Sequence, residues 1–134
     1  MQGVYLVAAE LSRLGFVVSP TSRSARGADL LLTDPQCRYT YSIQVKTKAV
    51  NAPYWLLSSH FQDVKARTHI YVFVNLVDQR RGAEYFVIPS TIVAEKGRIE
   101  PHERSIWYWF VQEDAAPFRD AWNIFGAGEQ LVPV

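Results

Sequence analysis

The chain has 134 residues, 49% of them hydrophobic and 20% charged, with 14 basic residues against 13 acidic and a net charge of +1. That length fits one domain whose folding buries roughly two thirds of the chain's surface, and the charge balance excludes a protein that coats nucleic acid by bulk positive charge, though not an enzyme that gathers its basic residues on one face. The single cysteine, Cys37, excludes an intrachain disulfide; no apolar run of about 18 residues is present to cross a bilayer; and Met1-Gln2-Gly3-Val4 lacks the basic start of a secretory signal, so a cytoplasmic location and no membrane partner are expected.

The first element is a helix. Val4, Val7, Ala8, Leu11 and Leu14 recur at helical spacing, with Gly15 as its stop and Glu10 on the flank of the stripe. Phe16-Val17-Val18 reads as a short strand. Ser19 to Gly27 is rich in turn-forming residues and reads as a loop. Ala28 to Thr33 is a buried strand, and Asp34-Pro35-Gln36 a turn. Tyr39 to Lys48 alternates: Tyr39, Tyr41, Ile43, Val45 and Thr47 share one face, and Thr40, Ser42, Gln44, Lys46 and Lys48 the other.

Ser59-x-x-Gln62 has the form of a capping box, predicting a helix through about Arg67. His69 to Asn75 is a strand, Arg80-Arg81-Gly82 a turn, and Glu84 to Ile88 a strand ended by Pro89. Ser90 caps a short helix that Gly97 stops. Ser105 to Val111 is a strand with Trp107 and Trp109 on one face. A last helix starts near Asp114, aligns Phe118, Trp122 and Phe125, and ends at Gly126. The order predicts an α/β protein: a mixed sheet with helices packed on it, the first three strands as a meander, and the 59–67 helix crossing over to place the fourth strand parallel to the third.

Three positions invite a joint reading: Glu10, Asp29 and Gln44-x-Lys46. Gln44 and Lys46 share a strand face because they are two apart, and a hairpin brings Asp29 beside them. A hard divalent cation takes oxygen ligands. Asp29 offers a carboxylate, Gln44 a side-chain carbonyl and Val45 a backbone carbonyl, with Glu10 reaching in directly or through water. Lys46 suits the holding of a metal-activated water and the offsetting of phosphate charge. The same residues have plainer readings: a solvated strand face for Gln44 and Lys46, and a surface i, i+3 pair with Arg13 for Glu10.

Gly27-Ala28-Asp29-Leu30 followed by Ile43-Gln44-Val45-Lys46-Thr47 resembles the PD-(D/E)xK nuclease superfamily, over about residues 4 to 89. Within it the chain is similar to small homing-endonuclease, Holliday-junction-resolvase and restriction-enzyme types that carry Gln before the Lys. The resemblance implies a restriction-endonuclease-like core of helix, three strands, helix and strand, with residues 90–134 as an elaboration within one domain. It implies a Mg²⁺-dependent endonuclease acting on DNA, with Mn²⁺ as a substitute. Asp29 would be the principal metal ligand, Gln44 the accessory one, Lys46 the catalytic lysine and Glu10 the helix-borne acid. Ala28 stands where the pattern has Pro, and Gln44 removes one negative charge from the metal site. The alternative is an inactive nuclease fold that binds nucleic acid or protein.

Ser22, Arg23 and Arg26, in the loop before Asp29, and Lys48 are candidate phosphate contacts. A 15-kDa nuclease meets two strands most simply as a homodimer or higher homo-oligomer, with the C-terminal aromatic segment at the interface. Trp55, beside Pro53 and Tyr54, is read as a partner contact in a loop, and His69 as structural. His60, His69 and His102 have no zinc-ligand spacing.

Overall fold

A computed structural model describes residues 2–21, 27–49, 51–78 and 82–125. Helix α1 (Gln2–Arg13) buries Val7 and Leu11, as its apolar stripe requires. It ends in a Schellman turn: Phe16 N–H reaches Leu11 O, Gly15 N–H reaches Ser12 O, and Gly15 takes φ +95°. Strands β1 (Val17–Pro20), β2 (Leu30–Thr33) and β3 (Thr40–Lys48) then form the expected antiparallel meander. The turn between β2 and β3 is closed by Asp34 Oδ1, which accepts from the N–H groups of Arg38 and Tyr39.

The link to the next long strand departs from expectation. Residues 59–67 hold turns, not a helix: Phe61 N–H bonds Ser58 O, and Asp63 N–H bonds His60 O. Ahead of them lies a short strand, β4 (Tyr54–Leu56), that the sequence reading assigned to a loop. The reason lies in what this segment covers. Leu57 and Phe61 are both buried, and the Ser90 hydroxyl grips Ala66 through both its N–H and its C=O. Tertiary anchors every few residues hold the chain flat on the sheet and outweigh a local capping signal. The crossover still achieves its end: β5 (His69–Asp78) runs parallel to β3, with Gln44 opposite Tyr71 and Lys46 opposite Phe73.

Strand β6 (Gly82–Pro89) returns antiparallel to β5 and completes a five-stranded sheet in the order β1-β2-β3-β5-β6. Ser90 is the first residue of α2 (Ser90–Lys96) and not its cap, which is Pro89, and Gly97 ends the helix as expected. Strands β7 (Arg98–Pro101) and β8 (Ile106–Val111) join β4 in a second, three-stranded sheet with order β4-β8-β7.

The last helix is also broken. Helix α3 (Gln112–Ala115) gives way to 3-10 turns at Ala116–Phe118 and Trp122–Phe125, separated by Asp120 at φ +52°. There Asp120 N–H bonds Tyr85 O, so the chain crosses the edge of β6. Phe118 packs against one core, while Trp122 and Phe125 belong to the other. A single helical stripe cannot reach both faces of a sheet, which is why the spacing misled. Gly126 lies outside the described residues, as do Ser22, Arg23, Arg26, Arg80 and Arg81.

Two cores result. The first, under α1, joins Val7 and Leu11 to Leu30, Leu32, Tyr41, Ile43, Val45, Ile70, Val72, Val74, Val87 and Phe125. The second, on the opposite face, is aromatic: Trp55, Phe61, Tyr71, Phe73, Phe86 and Phe110 lie between the two sheets, with Phe73 stacked on both Tyr71 and Phe110. Gly97 lets the Phe61 ring in; a Cβ there would stand 2.3 Å from Phe61 Cε2 and 2.8 Å from the Val93 carbonyl oxygen. Gly97→Ala is therefore expected to destabilise the protein by about 1–3 kcal/mol through overpacking, read as a lower urea midpoint.

His69 is 4% exposed. Ser42 Oγ lies 2.7 Å from its Nδ1, the Tyr71 ring stands edge-on, and Nε2 is buried without a partner. Burial pushes its pKa below the ordinary 6.5. The folded state thus holds the ring neutral while the unfolded chain takes up a proton from about pH 6.5 downward. Stability is full above that value and falls as the pH drops toward the folded pKa, by up to about 1.4 kcal/mol per pH unit. Urea unfolding at pH 7.5 and 5.5 is expected to show this loss, and His69→Gln to reduce it.

Candidate metal and phosphodiester site

The site is built where β2 begins beside the middle of β3. Asp29 N–H bonds Ile43 O at 2.7 Å, extending the β2–β3 ladder by one residue, and Thr21 N–H bonds Asp29 O at 3.0 Å. These bonds fix the Asp29 backbone between two chain segments. Its carboxylate Oδ2 then accepts from Val45 N–H at 2.8 Å and from Gln44 Nε2 at 3.1 Å. The expected hairpin juxtaposition of Asp29 and Gln44 is therefore present.

Val45 adds to it through its backbone. In an extended strand the N–H and C=O of one residue point to the same edge. Since Val45 N–H reaches Asp29, its carbonyl faces that side too. Among the described residues, nothing hydrogen-bonds Asp29 Oδ1, Gln44 Oε1 or Lys46 Nζ. Oxygen donors of three kinds thus stand on neighbouring positions, a set that fits a hard divalent cation.

Lys46 shares the Gln44 face of β3 and is half-buried. Burial pushes its pKa below the ordinary lysine value, and the Asp29 carboxylate pulls it partly back. Lys46 opens onto a cleft of about 320 Å³ between β3 and β4, which Tyr54, Trp55 and Leu56 wall on the far side. The sequence reading did not find this wall. Its signal is the apolar run Tyr54-Trp55-Leu56-Leu57, of which Tyr54 and Trp55 are expected in a loop.

Glu10 makes no hydrogen bond to Asp29, Gln44 or Lys46. Leu6, one turn earlier on the same flank of α1, lines a groove with Leu76, Ala83 and Tyr85, at the β6 side of the sheet. Glu10 lies on that flank, pairs with Arg13 at 2.9 Å, and its charge helps raise the Tyr85 pKa, after burial. The helical stripe fixed which residues face the sheet but not which flank faces which strand.

Lys48 is not a surface phosphate contact, nor a solvated charge. It is 7% exposed. Its Nζ donates to Ala52 O and Gln112 Oε1, and sits 4.4 Å above the Trp55 ring. Burial lowers its pKa, with Glu84 opposing. Trp55, read as a partner contact, is 1% exposed and donates its indole N–H to Val74 O. The lysine and the tryptophan bury each other, which neither one's local sequence shows.

No helix among the described residues is long and apolar enough to cross a membrane. No protein-family model and no curated protein sequence matches the chain. The chain is similar in fold to the solved structure of a bacterial homing endonuclease, I-Ssp6803I, with a TM-score of 0.61 over 96% of this chain and 90% of that one, at 15% sequence identity. At that identity the likeness speaks for the fold, and the mixed sheet flanked by helices is a nuclease-like fold.

Proposed function

We propose that the chain is a PD-(D/E)xK-type, Mg²⁺- or Mn²⁺-dependent endonuclease that hydrolyses phosphodiester bonds in DNA. The observation that carries this reading is the Asp29 carboxylate, held by Val45 N–H and Gln44 Nε2 beside Lys46, in a fold similar to that of a homing endonuclease. Asp29, Gln44 Oε1 and the Val45 carbonyl would hold the cation. When bound, it lowers the pKa of a coordinated water and offsets charge on the phosphate.

The chain's own residues supply the rest. Val45 N–H and the β2–β3 ladder hold Asp29 in place before any ligand arrives, so its orientation costs little on binding. The Gln44 amide pivots about its Asp29 contact to present oxygen in place of nitrogen. Lys46, desolvated on one side and open to the cleft on the other, brings an ammonium donor to the phosphate or to the attacking water. Ser22, Arg23 and Arg26 follow from the sequence as phosphate contacts, since they precede Asp29 by three to seven residues.

The test is cleavage of supercoiled plasmid, linear duplex and a four-way junction with Mg²⁺ or Mn²⁺. Metal-dependent cutting that Lys46→Ala reduces by roughly a hundredfold or more supports the site; cutting that survives Lys46→Ala and Asp29→Ala unchanged sinks it. One observation favours a second reading, a nuclease fold that binds DNA without cutting. Glu10 bonds Arg13, so among the described residues Asp29 is the one carboxylate held beside Gln44 and Lys46. That reading predicts duplex binding with no cutting under either metal. We further propose a homodimer, which places two sites against two strands; sedimentation of a monomer at micromolar concentration would count against it.

A further inference from the structure

The second sheet buries one face against the first and leaves the other to solvent. Directly paired residues share a face. Leu56 opposes Trp109, Arg98 opposes Trp109 from the other side, and Glu100 opposes Trp107. The outer face therefore presents Tyr54 and Leu56, then Trp107 and Trp109, then Arg98 and Glu100. Inward-facing Trp55 and Phe110 belong to the aromatic core. On this solvent side Trp109 is half-buried and Trp107 is 45% exposed.

These residues line a cavity. Tyr54, Glu100, His102, Trp107 and Trp109 line an open hollow of about 270 Å³. His102 stands edge-on to Trp107, ring centres 5.6 Å apart, and its backbone N–H bonds Ser105 O, so the pair is fixed by the β7–β8 turn. Trp107 still keeps 45% of its surface open to solvent. Tyr54 also walls the cleft that holds Lys46, so the two hollows meet at one side chain.

We propose that this cavity binds an unpaired nucleobase of a DNA strand, as an extension of the cleft at Lys46. The inference rests on the nucleic-acid reading above and adds a second site to it. The chemistry matches a base on both counts. Its flat faces stack on Trp107, Trp109 and Tyr54, an interaction indifferent to sequence. Its edge meets the Glu100 carboxylate, which only accepts hydrogen bonds and so selects bases carrying an exocyclic amine, cytosine above thymine. A free phosphate is disfavoured beside that carboxylate. The volume suits one base, not a duplex, so the occupant is a frayed, flipped or single-stranded nucleotide.

The experiment is a tryptophan-fluorescence titration of the whole chain in EDTA, where no cutting occurs, with oligo(dC), oligo(dT), free cytidine and a duplex of equal length. Quenching by oligo(dC) is expected to exceed that by oligo(dT). Trp107→Ala is expected to weaken single-strand binding about tenfold, and Trp107→Phe to restore most of it. Glu100→Gln is expected to erase the preference for oligo(dC). Free cytidine is expected to bind far more weakly than the strand; equal binding of the two would overturn a strand site in favour of a free-nucleoside one. Plasmid cutting by a chain that shows no single-strand binding overturns the base site and leaves the nuclease reading standing. Trp107-dependent binding without any cutting does the reverse. If Trp107→Ala instead turns an oligomer into a monomer and leaves DNA binding unchanged, this face is a contact between copies of the chain and the proposal falls.

Discussion

Asp29→Asn is expected to lower cleavage by roughly a thousandfold while leaving the fold intact, and Asp29→Ala to do the same with an added loss of stability. The difference between the two variants follows from the two roles of one carboxylate. Oδ2 accepts from Val45 N–H and Gln44 Nε2, and so satisfies a strand N–H that lies beyond the end of β2. Alanine leaves that N–H without its partner, at a cost of about 1–3 kcal/mol. Asparagine keeps an accepting oxygen for it and removes only the negative charge. Cleavage rates measured beside urea midpoints separate the roles. If Asp29→Asn cut as fast as the parent chain, charge at this position would have no part in the chemistry.

The second large effect is on stability. Trp55→Ala is expected to cost about 3–5 kcal/mol, as for other large aromatic truncations in a core, and to lower the melting temperature by roughly 10–15 °C for a chain of this size. Several interactions are lost together. The indole packs on Phe73 and Phe86 with ring centres 5.0 and 5.5 Å away, and its N–H satisfies the Val74 carbonyl. It also provides the face over which Lys48 Nζ sits. Removing it leaves a buried ammonium with Ala52 O and Gln112 Oε1 as hydrogen-bond acceptors and the Glu84 charge at longer range. Lys48→Met in the Trp55→Ala background is expected to return part of the loss, because it removes the charge that the cavity strands. Thermal melts of the two variants and the double variant measure that return; no recovery would mean that Lys48 draws its stability elsewhere.

How much of this was legible in sequence depends on how far each signal reaches. The alternation from Tyr41 to Lys46 gave strand, faces and the partnership of Gln44 with Lys46, because period 2 is a property of the strand itself. Asp29 was legible through a hairpin short enough to leave one register. Lys48 continues the same alternation, yet its burial depends on Ala52, Trp55 and Gln112, the last 64 positions away. Glu10 was placed on the flank of its helix, but the choice of flank depends on where β6 lies, which no residue near Glu10 encodes. The 59–67 segment carried a sound local helix signal and lost it to Phe61, Leu57 and the grip of Ser90 on Ala66. The aromatic spacing of Phe118, Trp122 and Phe125 had the period of one helix and the destinations of two cores.

Strand β4 sits between β3 and β5 in the chain, yet its one neighbour in the second sheet, β8, arrives only at residue 106. The two sheets are thus woven through one another and are not joined end to end. An emerging chain that has laid down the first five strands in sequence order still lacks the strand that pairs with β4, and it exposes Trp55, Phe73 and the Lys48 ammonium until β8 arrives. A cut anywhere between β4 and β8 would strand the same surface on one fragment. The protein is accordingly expected to unfold in one cooperative step, and to offer a protease no shorter piece that survives digestion.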